Sequence, residues 1–352
     1  MIPFREAKAL LAHSAPDEGC DPDSYGRHVN AVREGAWSRA EEMLGFAVDP
    51  PLGLLESIET AAFFHDLGKL DPDIQKALRN GRGTRLKWDH VDAGVAHLSD
   101  ARNWMAAWLV RAHHAPGLPQ KVHHFDPDGI GRRLRGRRHD DLPPEIHKEQ
   151  QERTNSILRQ LLAGHEQSLG PMRPSHRRPL HGLTMRLALS CLVDSDHADS
   201  AFFDSGTQLP SPPLCRWDER FNSLCEYVRS LPTGGSPEER SRNHHRREFF
   251  EACAVTKLKE PLVACSAPVG LGKTTAVTAY LIQRAKDERL RHLFFVAPYT
   301  NILTQTADTL RKALVLPGED PAKVVVEHHH RADFSDIGDR ELAVLWRAPI
   351  VL

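Results

Sequence analysis

The sequence predicts a mainly α chain of two domains, an all-helical first domain followed by an incomplete α/β domain with a parallel sheet. Three observations carry that expectation. Apolar residues recur at three- and four-residue spacing from the start to about residue 116. A glycine- and proline-bearing stretch, SLPTGGSPEERS, then breaks the pattern around residues 230–241. Beyond it, short apolar runs alternate with helical segments, the order that builds parallel sheets.

In order along the chain, Leu54, Leu55, Ile58, Ala61 and Ala62 mark one amphipathic helix, and Trp104, Ala107, Trp108 and Ala112 mark another. Residues 116–180 read as a loop-rich basic insertion, with one helix over EQQERTNSILRQLLAG. LTMRLALSCLVDSDHADSAFF is a further helix that closes a first domain spanning 1–235. In 236–352, PLVACSAP is expected to be a strand ending in a glycine-rich turn. TTAVTAYLIQRAKDERL is then a helix, and HLFFVAP and VVVEHHH are strands. The final RAPIVL reads as a fourth strand cut short, which makes this second domain a truncated one.

The 352 residues suffice for two ordinary cores. With 40% hydrophobic and 26% charged residues and no long apolar run, the composition excludes a membrane-spanning helix. The first residues lack the apolar core of a secretory signal, so a cytoplasmic location is expected. Six cysteines without a CxxC pair argue against a zinc ribbon or a disulfide framework. A net charge of −1 excludes a globally basic nucleic-acid binder. The departure from ordinary composition is 21 histidines, the side chain most used to ligate transition metals.

Several of those histidines fall into an ordered set. AAFFHDLGKLD places His65 and Asp66 at a helix end, where Gly68 is expected to turn the backbone away and leave both side chains facing one cavity. A carboxylate there can bridge two divalent cations about 3.5 to 4 Å apart while imidazoles cap each, an arrangement that holds a phosphodiester and activates water. The further ligands required are available in His28 of YGRHVNAV, His90 of WDHVDAG, His113 and His114 of VRAHHAP, and Asp196 of LVDSDHADS.

This order of a histidine, an HD pair, a single histidine, a double histidine and a late aspartate resembles the HD superfamily of metal-dependent phosphohydrolases over about 200 residues. HHAPGLP and LVDSDHADS are similar to the HD nuclease domain of the CRISPR-associated helicase-nuclease of type I systems. The resemblance implies that His28, His65, Asp66, His90, His113, His114 and Asp196 ligate two transition-metal ions, with Asp66 bridging. Ligand type favours manganese, iron, cobalt or nickel. Asp194 competes with Asp196 for the last place, since the DSD run fits in two registers. Lys69 is read either as a phosphate contact or as a solvated lysine past a helix end.

The second motif is SAPVGLGKTT, after an expected strand and before an expected helix. Backbone N–H groups around Gly270 and Gly272 can cradle phosphate, Lys273 can reach the outer phosphates, and Thr274, with Thr275 beside it, can ligate magnesium, so ATP with Mg is the expected ligand. Ala267 replaces the first glycine of the common form. Together with FFVAPYTNILTQTADTLR, the segment resembles motifs I and Ia of superfamily 2 helicases, which implies a RecA-like domain. The acidic DExH box and a second RecA-like domain are absent from these residues, so ATP turnover is expected to be very slow.

GRRLRGRRH concentrates Arg132, Arg133, Arg135, Arg137 and Arg138, and RPSHRRP adds Arg173, Arg177 and Arg178. They are read either as a path for single-stranded DNA or as a solvated loop. His328, His329 and His330 are read as a polar strand end. The expectation is therefore a metal-dependent nuclease for single-stranded DNA, coupled to an ATP-dependent helicase and recruited by a CRISPR RNA-guided surveillance complex. Two other readings stay open, an HD-type nucleotide phosphohydrolase with a regulatory P-loop and a catalytically idle recruitment module.

Overall fold

The structure is a computed structural model and describes residues 10–16, 20–84, 86–114, 144–172, 182–206, 212–232, 234–329, 332 and 346–352. The arginines at 132–138 and at 173, 177 and 178, together with His330, lie outside the described residues. The chain divides into two compact units between Thr207 and Gln208. It is mainly helical, with one small parallel sheet.

In the first unit a short antiparallel pair, β1 (Leu11–His13) and β2 (Asp23–Ser24), precedes the helices. These are α1 (Tyr25–Leu44), α2 (Leu54–Phe64), α3 (Pro72–Arg79), α4 (Val91–Asp100) and α5 (Trp104–Ala112), followed by α6 (Pro144–Leu169) and α7 (Gly182–Ser205). A 3-10 turn, Leu67–Leu70, joins α2 to α3. Helix starts are specified locally. Ser24 accepts from Arg27 N–H at the head of α1, Asn103 from Ala106 N–H at α5, and Asp71 from Asp73 N–H at α3, where Pro72 adds a pre-set φ.

The apolar faces of these helices bury one core, built from Tyr25, Val29, Val32, Ile58, Phe63, Phe64, Leu98, Leu109, Leu161 and Leu192. α1 packs on α2 and α7, and α5 on α2 and α4. Buried Gln75 ties β1 to the helices, accepting from Leu11 N–H (3.0 Å) and donating to the carbonyls of Leu11 and Lys69 (both 2.8 Å).

The expected insertion is partly corrected. α6, the helix expected over EQQERTNSILRQLLAG, begins earlier, at Pro144, and is no peripheral insertion, since Leu161 is part of the core and Ile157, Leu158 and Leu162 pack against it. Two polar ties also hold it down, Arg153 to Asp71 (3.0 and 3.1 Å) and Gln150 to the backbone of Asp89. On the inner face, His165 Nδ1 lies 2.8 Å from Tyr25 Oη, with the Phe63 and Phe64 rings against the imidazole.

Burial pushes the His165 pKa down from 6.5 to about 3. Below pH 6.5 the unfolded chain therefore binds a proton that the folded chain refuses, and stability falls as the pH drops toward 3. Urea unfolding at pH 7.5 and pH 5 should show wild type losing about 2 kcal/mol more than His165→Gln over that interval. Equal losses in both proteins would remove this account.

The second unit contains α8 (Trp217–Ser230), α9 (Pro237–Val255), α10 (Lys273–Asp287), α11 (Thr300–Leu314) and the single turn α12 (Pro321–Val324). Among its described residues three strands, β3 (Leu293–Phe294), β4 (Val325–Val326) and β5 (Ile350–Val351), form a parallel sheet in the order β3-β5-β4. Leu293 and Val325 both pair with Ile350. Helix α9 starts on a full capping box between Ser236 and Glu239.

The unit boundary falls ahead of the one expected near residue 235. Trp217 and Leu224 of α8 pack with Phe250, Ala276, Ala279, Ile282 and Leu310, so α8 belongs to the second core and SLPTGG only turns the chain between α8 and α9. The expected strand over PLVACSAP is also corrected. Residues 262–268 form no strand, and Leu262 is 88% exposed. The carbonyls just before it are drawn to α10 instead of to a ladder, Leu258 by Tyr280 Oη, and Lys259 and Glu260 by Arg284.

Candidate metal centre

α2 ends at Phe64, so His65 stands at its C-cap and Asp66 opens the 3-10 turn. Both side chains are buried. Gly68 does not act as expected, because it lies inside the 3-10 turn without positive φ. Its function is close approach. Gly68 N–H donates to His90 O (3.0 Å), and a Cβ on Gly68 would stand 2.2 Å from that oxygen. Gly94 allows a similar approach within α4, where a Cβ would meet Phe64 O at 2.2 Å. Two glycines thus bring the start of α4, with His90, against the end of α2.

Around Asp66 the chain gathers residues far apart in sequence. His28 Nε2 of α1 lies 3.1 Å from Asp66 Oδ2 and 3.4 Å from Asp196 Oδ1 of α7. His65 Nε2 lies 3.3 Å from His28 Nε2, 3.4 Å from Asp66 Oδ2 and 3.8 Å from Asp196 Oδ1. On the other side, His90 Nε2 is 3.5 Å from Asp66 Oδ1 and 2.9 Å from His114 Nε2. His113 lies between the halves, its ring centroid 5.3 Å from that of His65 and 4.2 Å from that of His114. All seven expected ligands converge. Of the two aspartates left open, Asp196 faces the histidines, and Asp194 lies two residues away, about 200° round the helix.

The donor set suits divalent cations. Bonds of about 2.1 Å place neighbouring ligand atoms about 3.0 to 3.4 Å apart in octahedral or tetrahedral coordination, and the separations around His28, Asp66 and His65 of 3.1, 3.3 and 3.4 Å fall in that range. His28, His65 and Asp66 form one cluster, and His90, His113 and His114 a second. His65 Nδ1 donates to Ala62 O (2.7 Å) and His113 Nδ1 to Val110 O (2.5 Å), which leaves each Nε2 as a bare lone pair. Two buried acceptors, His113 Nε2 and Asp66 Oδ2, make no hydrogen bond among the described residues. Lys69 Nζ stands 2.6 Å from Asp66 Oδ2 but off the direction of a hydrogen bond.

The electrostatics agree. Burial holds His65 and His113 below the usual imidazole range and pushes His90 down to about 4, so these rings are neutral and open to a cation. Burial pushes Asp66 up, but the Lys69 ammonium beside it prevails and holds it well below the carboxylate range. Burial likewise opposes charge on His28, yet Asp196, Asp199 and Asp66 push it up to about 10. The carboxylates of Asp66 and Asp196 thus stay anionic beside mostly neutral imidazoles.

Lys69 is neither a solvated lysine nor free to swing, since it is buried between Asp66 and His13 Nε2 (3.3 Å). His13, Asp23, Arg27 and Asp199 also border the centre and were not anticipated. Asp199 alone carried a signal, standing three residues after Asp196 on the same helix face. His13 reaches the site through β1, whose pairing no local pattern announces.

The residues expected to form a phosphate loop lie in the second unit. Gly270 (φ +83°) and Gly272 (φ +78°) adopt left-handed conformations, and Gly272 caps α10. Lys273 Nζ donates to Ala267 O (2.8 Å) and Pro268 O (3.1 Å), Thr275 Oγ1 to Gly272 O (3.0 Å), and Thr274 O accepts from Thr278 Oγ1 (2.6 Å). Arg246 Nε donates to Gly270 O (2.6 Å), bracing the loop from α9. Turn and helix N-terminus are as expected, without the supporting strand. His329 pairs with Glu327 just after β4, a polar strand end.

Comparisons with protein-family models, curated proteins and solved structures find no match. No helix among the described residues is long and apolar enough to cross a membrane.

Gly68→Ala should destabilise the first unit by about 1–3 kcal/mol, since the methyl group meets backbone atoms that cannot swing away. By displacing His90 it should also weaken divalent-ion binding at least about tenfold, or about 1.4 kcal/mol. Thermal unfolding and a manganese titration read the two effects separately.

Proposed function

We propose that the first unit is an HD-type metal-dependent nuclease acting on single-stranded DNA, and that the second is the opening segment of a RecA-like, superfamily 2 helicase motor. The two together correspond to the helicase-nuclease of type I CRISPR interference, working in the cytoplasm with an RNA-guided surveillance complex. The observation that carries this reading is the convergence of His28, His65, Asp66, His90, His113, His114 and Asp196 on one buried pocket.

His28, His65 and Asp196 would hold one divalent cation and His90, His113 and His114 the other, with Asp66 offering one oxygen to each side. Two such cations supply charge to polarise a phosphodiester and acidify a water molecule. The chain's own contribution is order. Carbonyls of Ala62 and Val110 fix two histidine tautomers, and Lys69 holds Asp66 as an anion. In the second unit, left-handed Gly270 and Gly272 turn the chain into the N-terminus of α10, whose backbone N–H groups would receive nucleotide phosphates, and Lys273 would exchange its loop carbonyls for them.

The test is to incubate the protein with manganese and circular single-stranded DNA, and separately with nucleotides. DNA cleavage that chelation abolishes is expected. Consumption of nucleotides with intact DNA would replace this reading with a nucleotide phosphohydrolase, and consumption of neither would leave a recruitment module. Lys273→Ala should lower ATP affinity by about 10- to 100-fold, the loss of a charge-assisted phosphate contact of about 1.5–3 kcal/mol, while single-strand cleavage without ATP persists. Nucleotide titration and the nicking assay check the two halves.

A further inference from the structure

We propose that Asp199 is a positioning residue of the metal centre, a carboxylate that fixes His28 with Nε2 turned inward. The inference rests on the reading of this pocket as a metal site. His28 Nδ1 meets Asp199 Oδ2 at 2.7 Å, while the opposite nitrogen faces Asp66 (3.1 Å) and Asp196 (3.4 Å). A metal-bound imidazole keeps a single N–H, so a partner that accepts at Nδ1 makes Nε2 the nitrogen that a cation takes.

Asp199 is itself held. Arg27 donates to both of its oxygens (2.8 and 2.7 Å) and, from the other side of the same guanidinium, to both oxygens of Asp23 (2.5 and 2.6 Å). The Asp23 side chain is fully buried and also meets His13 Nδ1 at 3.2 Å, so the clamp is anchored through β2 and β1. This support differs from that of His65 and His113, whose Nδ1 atoms rest on neutral carbonyls. A carboxylate acceptor makes the far nitrogen a stronger donor, which makes His28 a more basic ligand than His65 or His113. One helix, α7, thereby carries both a ligand, Asp196, and the orienter of another ligand, three residues later.

The experiment compares wild type, Asp199→Ala, Asp199→Asn and the surface control Asp204→Asn, measuring Mn2+ affinity by calorimetric titration and the thermal midpoint of the metal-free proteins. Asp199→Ala is expected to weaken Mn2+ binding about 10- to 100-fold. Asp199→Asn, which keeps an oxygen acceptor without the charge, should lie between it and wild type. The control should bind as wild type does. A purely structural role would lower the metal-free midpoint and leave affinity intact, and Mn2+ binding by Asp199→Ala within about twofold of wild type overturns the inference. If the alanine variant does not fold, Asp199→Asn decides alone, and unchanged affinity there is the overturning result. A wild-type protein that takes up no Mn2+ overturns the metal-site reading itself, which is distinguishable because the failure then precedes any substitution.

Discussion

Replacing Asp66 by alanine is expected to abolish cleavage of single-stranded DNA, by about a thousandfold or more, and to remove most of the bound divalent metal. Asp66 is the one residue among those described whose two oxygens face both halves of the pocket, Oδ2 toward His28 and His65, Oδ1 toward His90. Its loss leaves His28, His65 and His90 facing a cavity without the carboxylate that attracts positive charge, and strands Lys69 there as a buried cation. Lewis-acid stabilisation contributes several kcal/mol, and each ~1.4 kcal/mol is tenfold in rate, which sets the expected size. Elemental analysis beside the nicking assay checks it. Metal content and cleavage both retained in Asp66→Ala would end the metal-centre reading.

Arg220→Met should destabilise the second unit by about 3 kcal/mol, lowering its melting transition by roughly 6–12 °C, while the metal content of the first unit is unchanged. Arg220 is completely buried. It holds Glu319 through two bonds (2.7 and 3.0 Å) and donates to the carbonyls of Leu314, Cys215 and Leu214. It therefore ties the end of α11 to the chain entering α8, and its removal strips Glu319 of its buried guanidinium partner, leaving it Leu316 N–H and the exposed Arg216, and takes a donor from three carbonyls. Arg220→Lys should rescue little, because an ammonium group cannot reproduce the fork. Scanning calorimetry with metal analysis separates the two units, and an unshifted transition would show that the buried fork contributes nothing.

Much of the site was legible because its chemistry is confined to few residue types. Histidines at 28, 65, 90, 113 and 114 and aspartates at 66 and 196 stood out in a composition otherwise ordinary for a globular chain, and each sits where helical periodicity ends or turns inward. His13 and Asp23 were not legible, since a three-residue strand paired across a loop leaves no periodic trace. Nor was the place of α6. A polar, arginine-bearing helix following a proline-rich stretch reads as peripheral until Leu161 and His165 are seen against Phe63 and Phe64. The expected strand before the phosphate loop illustrates the opposite error. PLVACSAP has strand-like residues, but ladder pairing depends on a neighbour, and the side chains of α10 draw the preceding carbonyls away.

The amino-acid order alone determined the helical character of the first unit, the parallel alternation of the second, the seven ligand candidates and the glycine turn that opens α10, because periodicity and residue chemistry are local properties. Only the tertiary structure decided that Asp196 rather than Asp194 faces the pocket, that Gly68 and Gly94 serve close packing, that α8 belongs to the second core, and that Asp199 stands behind His28. Each of those depends on which surfaces meet across a core, and contacts between residues as far apart as 28 and 199 are set by packing rather than by any neighbour in the chain.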